Sequence, residues 1–211
     1  MYVDIITPIS NGDMVEAIEK ALSLGYSRVG VVGDFRELPP EAFSVAILSA
    51  SDIPLRARRI RGRYDILIAR PRSLEEARKF TATRLVDAVL AACDSGRPNF
   101  DYVCARQLKR NEGALIIPVS HLMRTARRDP RVLRNVRLEL EIAMKAGVYP
   151  VIASFASRAA EVAPPRLLIS FAEFFFDLSR SQAKMFVKDF PAYLTSPDRR
   201  IKLRGAASCE V

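Results

Sequence analysis

Tyr64-Asp-Ile-Leu-Ile-Ala69 is followed by Ser73-Leu-Glu-Glu76, and then by Leu85-Val-Asp-Ala-Val-Leu90. The outer pieces are apolar runs with β-branched residues, the signature of strands covered on both faces. The middle piece is a helix start. Ser73 can accept the backbone N–H of Glu76, and the Glu76 side chain can reach back, forming a capping box. The helix then runs to about Thr81. Strand, helix and strand within so short a stretch make a βαβ unit, whose two strands are parallel.

The same alternation extends to both sides. Upstream, Tyr2–Ile6, Arg28–Val32 and Val45–Leu48 read as strands, and Asp13 with Glu16 reads as a capping box opening a helix that stops at Gly25. That helix carries Val15, Ile18, Ala21 and Leu22 on one face. Downstream come a helix over Asp101–Asn111, a strand over Ala114–Val119, a long helix from Asp129-Pro130 to Ala146, and a strand over Tyr149–Ser154. Leu133, Val136, Leu140, Ala143 and Met144 form the apolar stripe of the long helix. From Pro165 the pattern is helical, over about 166–177 and 181–189, with Pro191 as a stop. Seven strands interleaved with helices define an α/β protein with a mostly parallel sheet. Repetition without a topological switch favours closure into a barrel. Residues 1–195 are expected to form one barrel-like domain, and 196–211 a basic, flexible tail.

Composition narrows the function. There are 211 residues, 33 Lys plus Arg, 24 Asp plus Glu and one His, for a formal charge of +9; Arg outnumbers Lys 26 to seven. Arg presents a flat fork that matches phosphate in two-point contact, although drift in a GC-rich or thermophilic genome gives the same excess. Cys93, Cys104 and Cys209 are odd in number and lack Cys-x-x-Cys spacing, which argues against a disulfide framework or zinc knuckle. The N-terminus lacks a signal-peptide pattern, and no apolar run is long enough to span a membrane. A cytoplasmic location is expected, with no membrane partner. Gly-x-Gly-x-x-Gly and P-loop patterns are absent.

Candidate chemistry is sparse. His121 follows the sixth strand, where barrel active sites sit, but no second His or Cys partner accompanies it. Asp4, Asp65 and Asp87 lie in or beside strands and are read as partners of nearby Arg. No catalytic and no metal-ligating residue is assigned. Two basic clusters stand out. Arg56, Arg58, Arg59, Arg61 and Arg63 form a run with no acid inside it, read as phosphate-binding. Arg124, Arg127, Arg128, Arg131, Arg134 and Arg137 form the second, in which Arg137 can pair with Glu141. Aromatics do not interleave with the first run, so backbone recognition of structured RNA fits better than base stacking.

Several segments, taken in order, carry a family resemblance. They are Gly96-Arg97 with Phe100-Asp101-Tyr102-Val103-Cys104-Ala105, Ala153-Ser154-Phe155-Ala156, Pro165-Arg166-Leu167-Leu168, and Gln182-Ala183-Lys184 followed by Pro191. The chain resembles ribonuclease P protein component 3, the archaeal-type member of the Rpp-thirty family, from Val3 to Pro191. The resemblance implies an incomplete TIM-barrel-like fold related to metal-dependent hydrolases but lacking their metal site. It implies a protein subunit of the ribonucleoprotein that removes the 5′ leader from precursor tRNA. The implied partners are ribonuclease P RNA, precursor tRNA, protein component 2 and the other protein subunits. The RNA would hold Mg²⁺ and perform the cleavage, and this chain would bind no cofactor. Basic residues matching the pattern are Arg97, Arg166 and Lys184, with Lys109 or Arg110 a looser match. Tyr102, Phe155, Ala163 and Leu167 depart from it.

Phe171, Phe174, Phe175 and Phe176 crowd one helix. Helical spacing places the first three on one face, as core. Phe176 points elsewhere, as the candidate anchor for component 2 or as further core. Two rivals stay open on sequence alone: a barrel enzyme acting on a small phosphorylated substrate, and a general structured-RNA binder.

Overall fold

The structure, a computed structural model, describes residues 1–196 except 36, 50–52 and 95, and only the backbone of 53–56. The expected tail from residue 197 onward, Cys209 and the Arg56 side chain lie outside the described residues. All seven strands form: β1 (Val3–Ile6), β2 (Arg28–Val32), β3 (Ala42–Ser49), β4 (Ile66–Arg70), β5 (Ala88–Leu90), β6 (Ala114–Pro118) and β7 (Tyr149–Ala153). They lie in sequence order, each parallel to the next. The seam between β1 and β7 is drawn together by a single parallel bridge between Ile6 and Ala156. The result is a nearly closed β/α barrel, an incomplete TIM-barrel-like fold.

Alternation along each strand divides the core in two. Val3, Ile5, Phe43, Val45, Ile66, Ile68, Leu90, Ile116 and Val151 fill the barrel interior. Their neighbours, among them Ile6, Val29, Val31, Leu67, Val89, Leu115 and Ile152, pack outward against the helices. The interior is therefore a packed core and not a pore, as in TIM barrels. Gly30 is needed there: a Cβ at this position would sit 2.7 Å from the Phe43 ring. Phe155 takes the left-handed conformation (φ 50) and is fully buried, adding its ring to the same interior.

The helices are α1 (Asn11–Ser23), α2 (Ile53–Ile60), α3 (Leu74–Ala82), α4 (Tyr102–Arg110), α5 (Val119–Ala126), α6 (Arg131–Ala146), α7 (Pro165–Phe176), α8 (Arg180–Lys184) and, after a π-turn, α9 (Phe190–Leu194). Ser73 and Asp101 cap α3 and α4, each accepting the N–H three residues on. At α3 the returning Glu76 carboxylate accepts the N–H of Arg72, one residue before the cap.

Several sequence expectations are corrected. Ser10, not Asp13, caps α1, so the helix starts earlier; Met14 and Ala17 face inward with Ile18 and Ala21, and Val15 is exposed. The helices α2 and α5 were not anticipated. Pro191 does not stop the last helix. It stands in the first turn of α9, where its missing N–H costs nothing. The chain continues to Leu194, which plugs the entry end of the barrel beside Tyr149 and Phe190.

Candidate nucleic-acid interface

The loops that enter the strands and the loops that leave them form two ends of the barrel, and both are basic. At the entry end, α2 and the turn before β4 carry Arg58, Arg59 and Arg63, all exposed. The α4–β6 junction carries Lys109 and Arg110, also exposed. Lys109 sets its ammonium 5.1 Å from the centre of the Tyr149 ring. A cleft of about 560 Å³ lies on this side, between Lys79, Arg84, Gln107 and Arg110.

Arg61 departs from the sequence expectation. Its guanidinium is buried, 4% exposed for the residue, and ion-paired with the buried carboxylate of Asp87. Asp87 also accepts the backbone N–H of Leu67 at 2.7 Å. Arg61 is therefore a strut between the turn before β4 and the start of β5, and has no surface to offer a phosphate. The run looked uncompensated because its acid lies 26 residues away. Of the three strand-associated acids, Asp87 pairs with Arg as expected. Asp4 instead accepts the N–H and hydroxyl of Ser154, at 2.7 and 2.5 Å, tying β1 to β7. Burial raises the Asp4 carboxyl to about 6 despite those bonds. Asp65 accepts from the backbone and hydroxyl of Ser44.

At the exit end, Arg70 closes β4, Arg72 follows it, and Arg97 lies on the loop after β5, all three exposed. A cavity of about 500 Å³ opens here over the ends of β3, β4 and β5. Arg70 is bound to Asp94 at 2.5 Å in an exposed pair. The loop after β5 is clamped by Glu139, fully buried on α6, whose two carboxylate oxygens accept the N–H of Ala92 and of Asn99 at 2.8 and 2.7 Å. Burial dominates those bonds and pushes the Glu139 carboxyl up to about 7. Sequence reading missed this residue; the signal was a lone Glu on the stripe between Val136 and Ala143.

His121 is half-buried on α5, tilted against the Phe155 ring at 6.1 Å, with no hydrogen bond or ion pair among the described residues. Burial, aided by Arg124, lowers its pKa. Among the described residues no carboxylate bonds to it and orients it as a base. Among the described residues no group of three or more His, Cys, Asp or Glu is arranged to hold a metal ion. No described helix is long and apolar enough to cross a membrane.

Arg166 and Lys184 are exposed on α7 and α8. Half of the second basic cluster is compensated: Arg124 meets Glu161, Arg131 meets Asp129, and Arg137 meets both Glu141 and Asp177. The Phe row of α7 is also corrected. Phe176 is 4% exposed and edge-packed on Phe171, whereas Phe174 is 82% exposed. The buried stripe runs through Leu168, Ala172 and Phe176, one residue in four, which turns Phe174 outward beside exposed Leu167.

No protein-family model and no curated protein matches the sequence. Solved structures do match its fold. A chain of an archaeal ribonuclease P determined by cryo-EM with mature tRNA aligns at a TM-score of 0.65 and 18% identity, over 97% of this chain and 89% of that one. The ochratoxinase of A. niger aligns at 0.59 and 11% identity, over 94% and 72%. A prolidase complexed with N-methylphosphonate-L-proline aligns at 0.58 and 12% identity, over 92% and 74%. These likenesses share a barrel fold, which hosts many unrelated activities.

Proposed function

We propose that this chain is a protein subunit of ribonuclease P, of the component 3 type, which binds the RNA of the particle and supplies fixed cations to it. The observation that carries the reading is the alignment with a ribonuclease P chain along nearly the whole of both molecules. The local chemistry supports it: Arg58, Arg59, Arg63, Arg97, Lys109, Arg110, Arg166 and Lys184 are all exposed, while the one His has no carboxylate partner among the described residues. Folding an RNA brings phosphates together, and Arg or Lys at fixed positions lowers that repulsion and the demand for Mg²⁺. On this reading the chain provides no nucleophile and no general base, and cleavage proceeds at metal ions held by the RNA.

Component 2 is the proposed protein partner, with the exposed Phe174 and Leu167 of α7 as its apolar anchors in place of Phe176. The direct test is a particle reconstituted with Arg97, Arg166 and Lys184 all changed to Ala. The Mg²⁺ concentration for half-maximal leader removal should rise. An unchanged Mg²⁺ requirement would remove these three residues from the account.

A further inference from the structure

The cavity at the exit end does not stand alone. It is floored by Ile47, Pro71 and Ala91 and rimmed by Arg70 and Asp94. A second cleft, about 660 Å³, lies between Arg72, Gly96, Arg97 and Arg131. Arg72 and Asn99 line both, so the two hollows are neighbours across these residues. Four Arg thus border a depression made of two adjoining hollows, the first with an apolar floor. Each hollow falls within the range of about 300–1,000 Å³ that holds small ligands.

Its polar groups are arranged but incompletely used. The N–H of Asn99 is held by buried Glu139, and its Nδ2 donates to the carbonyl of Pro71 at 2.8 Å. These bonds fix the Asn99 amide in the wall that the two hollows share, with its Oδ1 enclosed. Arg70 and Arg131 are engaged by Asp94 and Asp129, but through exposed pairs of the kind worth about 1 kcal/mol or less. Arg72 has no ion pair among the described residues.

We infer that this depression takes one unpaired nucleotide of an RNA strand, its phosphate between Arg72 and Arg97 and its base over Ile47, Pro71 and Ala91. A bare phosphate would meet the Arg but leave the apolar floor uncovered. An apolar ligand would leave the exposed Arg72 guanidinium unmatched. A nucleotide supplies the anion and a flat apolar face together. Asp94, at the rim, is placed to accept a ribose hydroxyl, the group that separates RNA from DNA. The assignment rests on the RNA-binding reading above and adds a specific pocket to it.

The test is a ¹H–¹⁵N NMR titration of the full chain with hexauridylate and with uridine 5′-monophosphate. It is repeated on Ser49→Trp, where an exposed rim residue fills the pocket, and on Arg72→Ala. Thermal melts confirm that both variants fold. Hexauridylate should shift the amides of Arg70, Arg72, residues 91–94, Arg97 and Asn99. Ser49→Trp should lose the shifts at 91–94 but keep those at 97, and Arg72→Ala should weaken binding about tenfold, as for loss of one charge-assisted contact. Wild-type binding in Ser49→Trp, or shifts confined to other faces, would overturn the assignment. Equal affinity for the monophosphate would make a free nucleotide the occupant and overturn the RNA strand. A parallel assay with ribonuclease P RNA separates the two proposals: retained RNA binding with no pocket shifts removes the pocket alone.

Discussion

Arg61 and Arg63 stand two positions apart and do unlike work. Arg61 is sealed against Asp87, with a further Asp87 bond to the Leu67 N–H, while Arg63 lies in solvent. Arg61→Ala would leave the Asp87 carboxylate buried and unpaired, so it should cost about 3–5 kcal/mol, read as a fall in the denaturation midpoint. Arg63→Ala should change stability by less than about 0.5 kcal/mol, while lowering RNA affinity. Glu139 gives a pH prediction. Its carboxyl is pushed up to about 7, above the usual carboxylate range, so the folded state holds its proton more tightly than the unfolded state does. Stability from this group is full below about pH 4.5 and declines as pH rises through about 7. Asp4, raised to about 6, acts in the same direction. Melting temperature should therefore fall between pH 5 and pH 8, and Glu139→Gln should flatten that slope. A flat profile in the wild type would contradict the burial of both groups.

At the scale of elements, the strands were legible because their physics is local. Each is a short apolar run between turn signals, and all seven occur where those runs stand. Helix faces were less legible, because successive residues stand about 100° apart, so a position misread by one exchanges an inward residue for an outward one, as with Met14 and Val15 on α1. The Phe row of α7 shows the same sensitivity: the buried face follows Leu168, Ala172 and Phe176, a choice set by what the helix packs against. Phe176→Ala should cost about 3–5 kcal/mol, whereas Phe174→Ser should leave the melting curve in place and weaken component 2 binding. Buried partners distant in sequence were not legible at all. Neither the Arg61–Asp87 pair nor the hold of Glu139 on Ala92 and Asn99 has a spacing signature; each exists only once the barrel brings those segments together.

For the whole molecule, the formal charge is +9, and among the described residues exposed Arg and Lys stand at both ends of a packed barrel. Part of the Arg excess is structural, in Arg61, and part is neutralised by neighbours, in Arg124, Arg131 and Arg137. The remaining exposed Arg and Lys suit a partner that is itself large and polyanionic, touching more than one face. Binding governed by phosphate contacts should weaken steeply with salt, the slope of log K against log salt falling by about 0.7–0.9 for each contact removed. The central claim, that this chain serves one structured catalytic RNA, is tested most directly by recovering the tagged chain from its own cells and sequencing the RNA that comes with it. The account predicts one dominant structured RNA, together with precursor tRNA and small protein subunits. A broad mixture of transcripts, or no RNA, would contradict it.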